Sequence, residues 1–172
     1  MKIAIFGAIV LSLVGLLIYS GVEHRSNQVA SDQFVIPGYT GYVNDTSGVL
    51  NPEIVSELEE LLVTFSETGK GEVAILTLPT IEPYTIEEFG IRLADEWKVG
   101  NADEDNGVIL IVVTEDRLVR IEVGHGAEAY ITDSRAGQIL DEVTVPELKN
   151  GDWNAAIAKT AVVIINELNE TN

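Results

Sequence analysis

The sequence of 172 residues contains no cysteine. Structural disulfides, zinc–thiolate centres and cysteine nucleophiles are therefore excluded. Positive charge is also scarce: 10 Lys and Arg stand against 28 Asp and Glu, for a net charge of −18. Lys2 is the one charge in Met1–Ser20, so residues 21–172 hold 9 basic and 28 acidic side chains, a net charge of −19. Nucleic-acid binding needs a basic footprint to neutralise phosphates, and no Lys/Arg cluster is present. Adhesion to anionic lipid headgroups is disfavoured on the same ground. The nucleophile elbow, the P-loop and the dinucleotide fingerprint are missing too. An acidic surface keeps a domain soluble and suits divalent cations.

Long apolar runs are confined to the start. Ile3–Tyr19 has no charge and only Ser12 as a polar interruption, with Lys2 before it. The run has no polar face, so it does not read as a soluble helix. It is short for a spanning helix and long for a signal-peptide core. Residues 1–20 thus read as a signal anchor or signal peptide. Ile18 is a mediocre residue three positions before a cleavage after Ser20, so the uncleaved anchor is favoured. The positive flank stays cytoplasmic. The expectation is a single-pass protein of the cell membrane, held through residues 3–19, with its soluble domain on the extracytoplasmic side, or an exported one if cleaved. Residues 21–40, rich in Ser, Asn, Gln and Asp, read as a linker, and residues 41–172 as an α/β domain.

Within the domain, Asn51-Pro52 opens a helix whose apolar positions run from Ile54 to Phe65 at helical spacing, with Gly69 and Gly71 ending it. Glu72–Leu78 reads as a strand. Thr85 and Glu88 form a capping box before the amphipathic run Ile86, Phe89, Leu93 and Trp97. Val108–Val113 reads as a central strand buried on both faces. Leu118–Val123 alternates, with Val119, Ile121 and Val123 on one side. Thr132 or Asp133 caps a third helix, and a fourth runs from about Trp153. Strand–helix–strand gives a parallel pair by a right-handed crossover, and the short turn after it adds an antiparallel strand. The fold class is α/β, a small mixed sheet with helices on both faces.

If Glu115-Asp116 is a two-residue hairpin turn, paired residue numbers sum to 231, which places Asp105 opposite Gly126. Asn101–Gly107 and Gly124–Glu128 then share one sheet edge, where the third helix also starts. Asp103, Glu104, Asp105, Glu128 and Asp133 are expected to converge there, with Gly107, Gly124 and Gly126 permitting tight backbone. Carboxylates and carbonyls with few nitrogens are ligands for hard cations, Ca²⁺ ahead of Mg²⁺. The candidate metal ligands are Asp103, Asp105, Glu128 and Asp133. The loop is not an EF-hand, since Asn106 stands where Gly is needed and Val112 where the closing Glu belongs. For any proton transfer or charge stabilisation the candidates are His125, Asp105 and Arg135.

Val43-Asn44-Asp45 with Gly48-Val49-Leu50, Glu96-Trp97, Asp105-Asn106-Gly107-Val108, Arg120-Ile121-Glu122-Val123-Gly124 and Ile131-Thr132-Asp133 occur in this order. Together they resemble the TPM domain, a family named for a thylakoid-lumen protein, a photosystem II repair protein and a nematode receptor modulator. The resemblance spans about Gly41 to Glu170. It implies a three-layer α/β/α sandwich, export and often a membrane anchor. It also implies either calcium binding or acid-phosphatase activity, with Asp105 and Asp133 in an acidic metal-binding cleft. Asp45 belongs to the same pattern, but the predicted topology sets it at the other sheet edge, where an Asx turn is its expected role. The expected function is a membrane-tethered, cation-binding interaction module that assists assembly or quality control of an unidentified membrane or envelope protein. The alternative is a metal-dependent phosphatase of at most weak activity.

Overall fold

The computed structural model describes residues 34–170. The apolar segment 1–20 and residues 21–33 of the linker lie outside the described residues. Among the described residues no helix is long and apolar enough to cross a membrane. A compact unit begins at Ile36.

Its elements in chain order are β1 (Val43–Asp45), α1 (Pro52–Ser66), β2 (Glu72–Leu78), α2 (Ile86–Trp97), β3 (Gly107–Val113) and β4 (Leu118–Val123). These are followed by α3 (Asp133–Ile139), a π-helical turn (Leu140–Thr144), α4 (Val145–Lys149) and α5 (Trp153–Asn169). The sheet order is β1-β2-β3-β4, with β1–β2 and β2–β3 parallel and β3–β4 antiparallel. The mixed sheet expected from the sequence is present, with one more strand than the apolar pattern revealed. β1 is three residues long, and Asn and Asp in it have poor strand propensity. It is held instead by side chains. Glu59 of α1 accepts the N–H groups of Tyr42 at 2.9 Å and Val43 at 2.8 Å. Asn44, 4% exposed, donates to Gly41 O at 2.7 Å and accepts from Thr40.

Every residue of β3 is buried, as its unbroken aliphatic run predicts. On one face Val73, Ile75, Val108, Leu110 and Ile121 pack with Leu58, Leu62 and Phe65 of α1, Ala136 and Ile139 of α3, and Ile157, Ala161 and Ile164 of α5. On the other face α2 lies over β4. A Cβ on Gly90 would come within 3.0 Å of Arg120 Nε, so the glycine makes room for the Arg120–Glu122 ion pair of 2.5 Å. The capping box of α2 is formed by Glu88 N–H to Thr85 Oγ1 at 3.2 Å and Thr85 N–H to Glu88 Oε2 at 3.1 Å. The third helix passes without a break into the π-helical turn and α4. Pro146 lacks the N–H that an α-helix needs and crowds the preceding turn, which widens; Val145 N–H bonds Leu140 O, five residues back.

Beneath this turn Thr144 and Thr160 are fully buried, their hydroxyls 2.6 Å apart. Thr160 donates to Ala156 O at 2.7 Å, so Thr144 donates to Thr160. Thr160→Val removes that acceptor and strands a buried hydroxyl, at an expected cost of about 2 kcal/mol. Replacing both by Val should recover most of the loss, since no polar atom is then stranded. Urea unfolding of the two variants checks this; a double variant less stable than the single one contradicts it.

Candidate functional site

The β3–β4 pairs observed, from Val108–Val123 to Val113–Leu118, all follow the register expected from the sequence. It continues past the strands: Gly124 N–H bonds Gly107 O at 2.8 Å and Gly126 N–H bonds Asp105 O at 2.9 Å. The turn itself differs from expectation. Four residues, Thr114–Arg117, join the strands, and Arg117 takes a left-handed φ of 57°. Glu-Asp lacks the residues that a two-residue turn demands, so the loop opens around the same centre.

At the far end of these strands three backbone segments are stacked without side chains between them. A Cβ on Gly107 would lie 1.9 Å from Val99 O, one on Gly126 1.8 Å from Glu104 O, and one on Gly124 2.4 Å from Asp105 O. The loop before β3 is drawn tight by Asp105 N–H to Asn101 O at 2.7 Å and Asn101 N–H to Asn106 Oδ1 at 2.9 Å. Glu72 ties it to β2 by accepting Gly100 N–H at 2.9 Å. Asp105 adopts a left-handed φ of 49°, which Asp and Asn tolerate better than most residues. Its Oδ2 accepts the N–H of His125 at 3.0 Å.

This stack forms one wall of a cleft of about 420 Å³. The other wall is the C-terminal end of α2. Asp95, Lys98, Asn101, Asp105, Glu122 and His125 supply its polar lining. Lys98 closes α2 in a left-handed conformation with φ 51°, where Gly is the usual residue. Asp95, Lys98 and Glu122 were not anticipated as cleft residues. Asp95 and Lys98 lie near the end of a helix whose apolar stripe says nothing about what its other side faces, and Glu122 reads as the polar half of an alternating strand.

The acidic run is divided by the fold. Asp105 lines the first cleft. Glu104 accepts from Asn106 Nδ2 at 2.7 Å and lines a second hollow with Lys70, Tyr130 and Glu170. Asp103 is exposed, its N–H bonded to Asn101 Oδ1 at 2.8 Å. Glu128 is paired with His125 at 3.4 Å on an exposed surface. Asp133 is exposed at the first residue of α3; the cap itself is Thr132, whose Oγ1 accepts Arg135 N–H at 3.2 Å. Arg135 is engaged elsewhere: its guanidinium holds Glu167 of α5 at 2.5 Å and 3.0 Å. Hydrogen bonding to Glu167, and after it the negative charge of that carboxylate, pushes the Arg135 pKa up. Among the described residues no group of three or more His, Asp and Glu side chains is gathered closely enough to hold an ion. By donor type the edge fits a hard cation, since it offers carboxylates and carbonyls.

Asp45 lies at the opposite end of the sheet, as expected. Its carboxylate accepts Val49 N–H at 3.2 Å and Leu50 N–H at 2.9 Å and bonds the Thr77 hydroxyl. It shapes the turn into α1.

These features define a class of small α/β domain, a four-stranded mixed sheet ending in a glycine-walled acidic cleft. A sequence model of the TPM domain matches residues 43–167. The chain belongs to the TPM domain family. Among solved structures, the N-terminal domain of a P. gingivalis protein, determined by solution NMR, superposes with a TM-score of 0.69 at 29% identity. That match covers 75% of this chain and 82% of that chain. The N-terminal domain of the cg2496 protein from Corynebacterium glutamicum gives 0.59 at 13% identity, covering 80% and 88%. The BA42 protein from the psychrophile Bizionia argentinensis gives 0.54 at 18%, covering 66% and 79%. The last two speak for the fold alone. Comparison with curated proteins gives no match.

Proposed function

We propose that this domain is an extracytoplasmic module, tethered by residues 3–19, that binds a divalent cation and through it a membrane or envelope protein. Calcium is favoured over magnesium because it accepts an irregular set of oxygen ligands, whereas magnesium demands near-ideal octahedral geometry. The observation that carries the reading is the cleft at Asp105, where three carboxylates, Asp95, Asp105 and Glu122, share a lining with one lysine. Asp105 is the fixed ligand. Asp103, Glu128 and Asp133 are exposed, so an ion recruits them at low packing cost. The test is an amide NMR titration of residues 31–172 with calcium and with magnesium. Saturable shifts are expected over Asn101–Gly107 and Gly124–Glu128; shifts spread evenly over the acidic surface would count against a site. A reporter fused after Asn172 is expected to be active outside the cytoplasm, and cytoplasmic activity would reverse the proposed topology.

The alternative phosphatase reading is tested separately. Arg135 is held by Glu167 and Arg120 by Glu122, so Lys98 and His125 are the basic residues that line the cleft. A phosphoryl group needs more stabilisation than that, and a chain of net charge −18 repels an anionic substrate at low ionic strength. Turnover of p-nitrophenyl phosphate is expected to be weak at most from pH 4 to 8 and to require divalent metal. Robust turnover in EDTA would exclude the metal mechanism. Robust metal-dependent turnover lost in Asp105→Asn or His125→Ala would make this an enzyme.

A further inference from the structure

We propose that two copies of this chain pair through β4, joining their sheets into one continuous sheet around a twofold axis. β4 is an outer strand. The Gly124–Gly107 and Gly126–Asp105 bonds, carried along the β3–β4 register, turn the backbone groups of the even-numbered β4 residues toward β3. Val119, Ile121 and Val123 turn theirs outward. Among the described residues their N–H groups have no hydrogen-bond partner. An open edge of this kind is a template for another strand. The strand has no proline to block it, and its two charged residues neutralise each other as an ion pair.

What selects a second copy as the occupant is self-complementarity. An antiparallel pairing centred on Ile121 sets Val119 opposite Val123 and Ile121 opposite itself. The outward-facing groups then meet as hydrogen-bonded pairs. The same register sets Arg120 opposite Glu122 twice, in the intervening pairs where side chains approach most closely and opposite charges attract. A shift of one residue destroys both matches at once. The apolar rim fits as well. Leu118 is 38% and Ile91 56% exposed, and Ile91 lines the cleft beside Glu122, Val123 and Gly124. The register sets Leu118 opposite Gly124 of the second copy, next to that copy's Ile91. Arg117 falls opposite His125, which brings a cation to each acidic edge. One strand pair buries less than a standard interface, so the dimer is concentration-dependent.

The test uses full-length chains carrying two different tags, expressed together and captured through one of them. Wild-type chains are expected to be captured together. Arg120→Glu places like charges opposite each other twice and should reduce co-capture by about tenfold; Glu122→Arg should do the same. Expressing one chain of each kind restores opposite charges and should bring co-capture back to near the wild-type level. Absence of wild-type capture, undiminished capture of either single variant, or no recovery in the mixture would each overturn the proposal. A second measurement does not rely on charge reversal. Since the chain has no cysteine, Arg120→Cys and Glu122→Cys chains mixed in equal amounts and mildly oxidised should form the unlike disulfide well beyond the twofold excess over each like one that random coupling gives. The statistical ratio of 1:2:1, or less of the unlike disulfide, would overturn the pairing.

Discussion

Calcium at one hundred times its dissociation constant is expected to raise the melting temperature by about 10 °C, and Asp105→Asn to remove most of that rise. A ligand that binds only the folded form at this excess adds about 2.7 kcal/mol, and a domain of this size gains a few degrees for each. Asn is the informative substitution because it isolates charge from shape. It tolerates the left-handed backbone of Asp105, and its side-chain oxygen can still accept the His125 N–H. The loop should therefore keep its course while the ligand loses its charge. Glu60→Gln is the matched control: it removes one charge from an exposed position on α1, away from the cleft. Differential scanning fluorimetry with and without calcium reads both. Equal loss of the calcium response in the two variants would mean diffuse screening of an acidic surface rather than a site.

The sheet was legible in the sequence where pattern and burial coincide. β2 and β3 announce themselves because strands buried on both faces carry unbroken aliphatic runs. The β3–β4 register was legible even though the turn was not. A hairpin's pairing depends on its centre, between Glu115 and Asp116, and not on where the ladder stops. β1 was not legible because its stability comes from Glu59 and Asn44 rather than from strand formers. Asp45 could still be placed correctly at the opposite sheet end because it stands just before the helix that Asn51-Pro52 opens, and there it accepts the N–H groups of the turn into α1.

The candidate site was half legible. Sequence reasoning brought the Asp105 loop beside Gly124–Glu128 because register alone does that. It did not say which way consecutive acidic side chains point. In a loop that follows from each residue's φ, and the left-handed turn at Asp105 sends its side chain to one hollow and leaves Glu104 to another. Nor did it find Asp95, Lys98 and Glu122, which reach the cleft from α2 and β4 by packing across the sheet. Arg135 looked available at the start of α3 until its partner on α5, 32 residues later, was in view.

Gly107→Ala is expected to destabilise the domain by about 3 kcal/mol and to lower its melting temperature by roughly 10 °C. The added methyl would sit 1.9 Å from Val99 O. That oxygen is backbone, so no rotamer change relieves the overlap, and the Val99–Asn101 segment has to move bodily. Moving it strains Gly100 N–H to Glu72 and Asn101 N–H to Asn106, both at 2.9 Å. It also displaces the cleft wall that carries Asp105. The calcium response should therefore fall along with stability, unlike in Asp105→Asn, where the response falls while the fold keeps most of its stability. Gly137→Ala supplies the opposite sign. Gly137 lies inside α3 with nothing within 4 Å of an added Cβ, so alanine there gains helix propensity and should stabilise by about 0.5–1 kcal/mol. Chemical denaturation of the two variants decides the matter. If Gly107→Ala proves as stable as the wild type, the backbone of the 99–107 loop is not packed against β3 as described, and the cleft built on that packing goes with it.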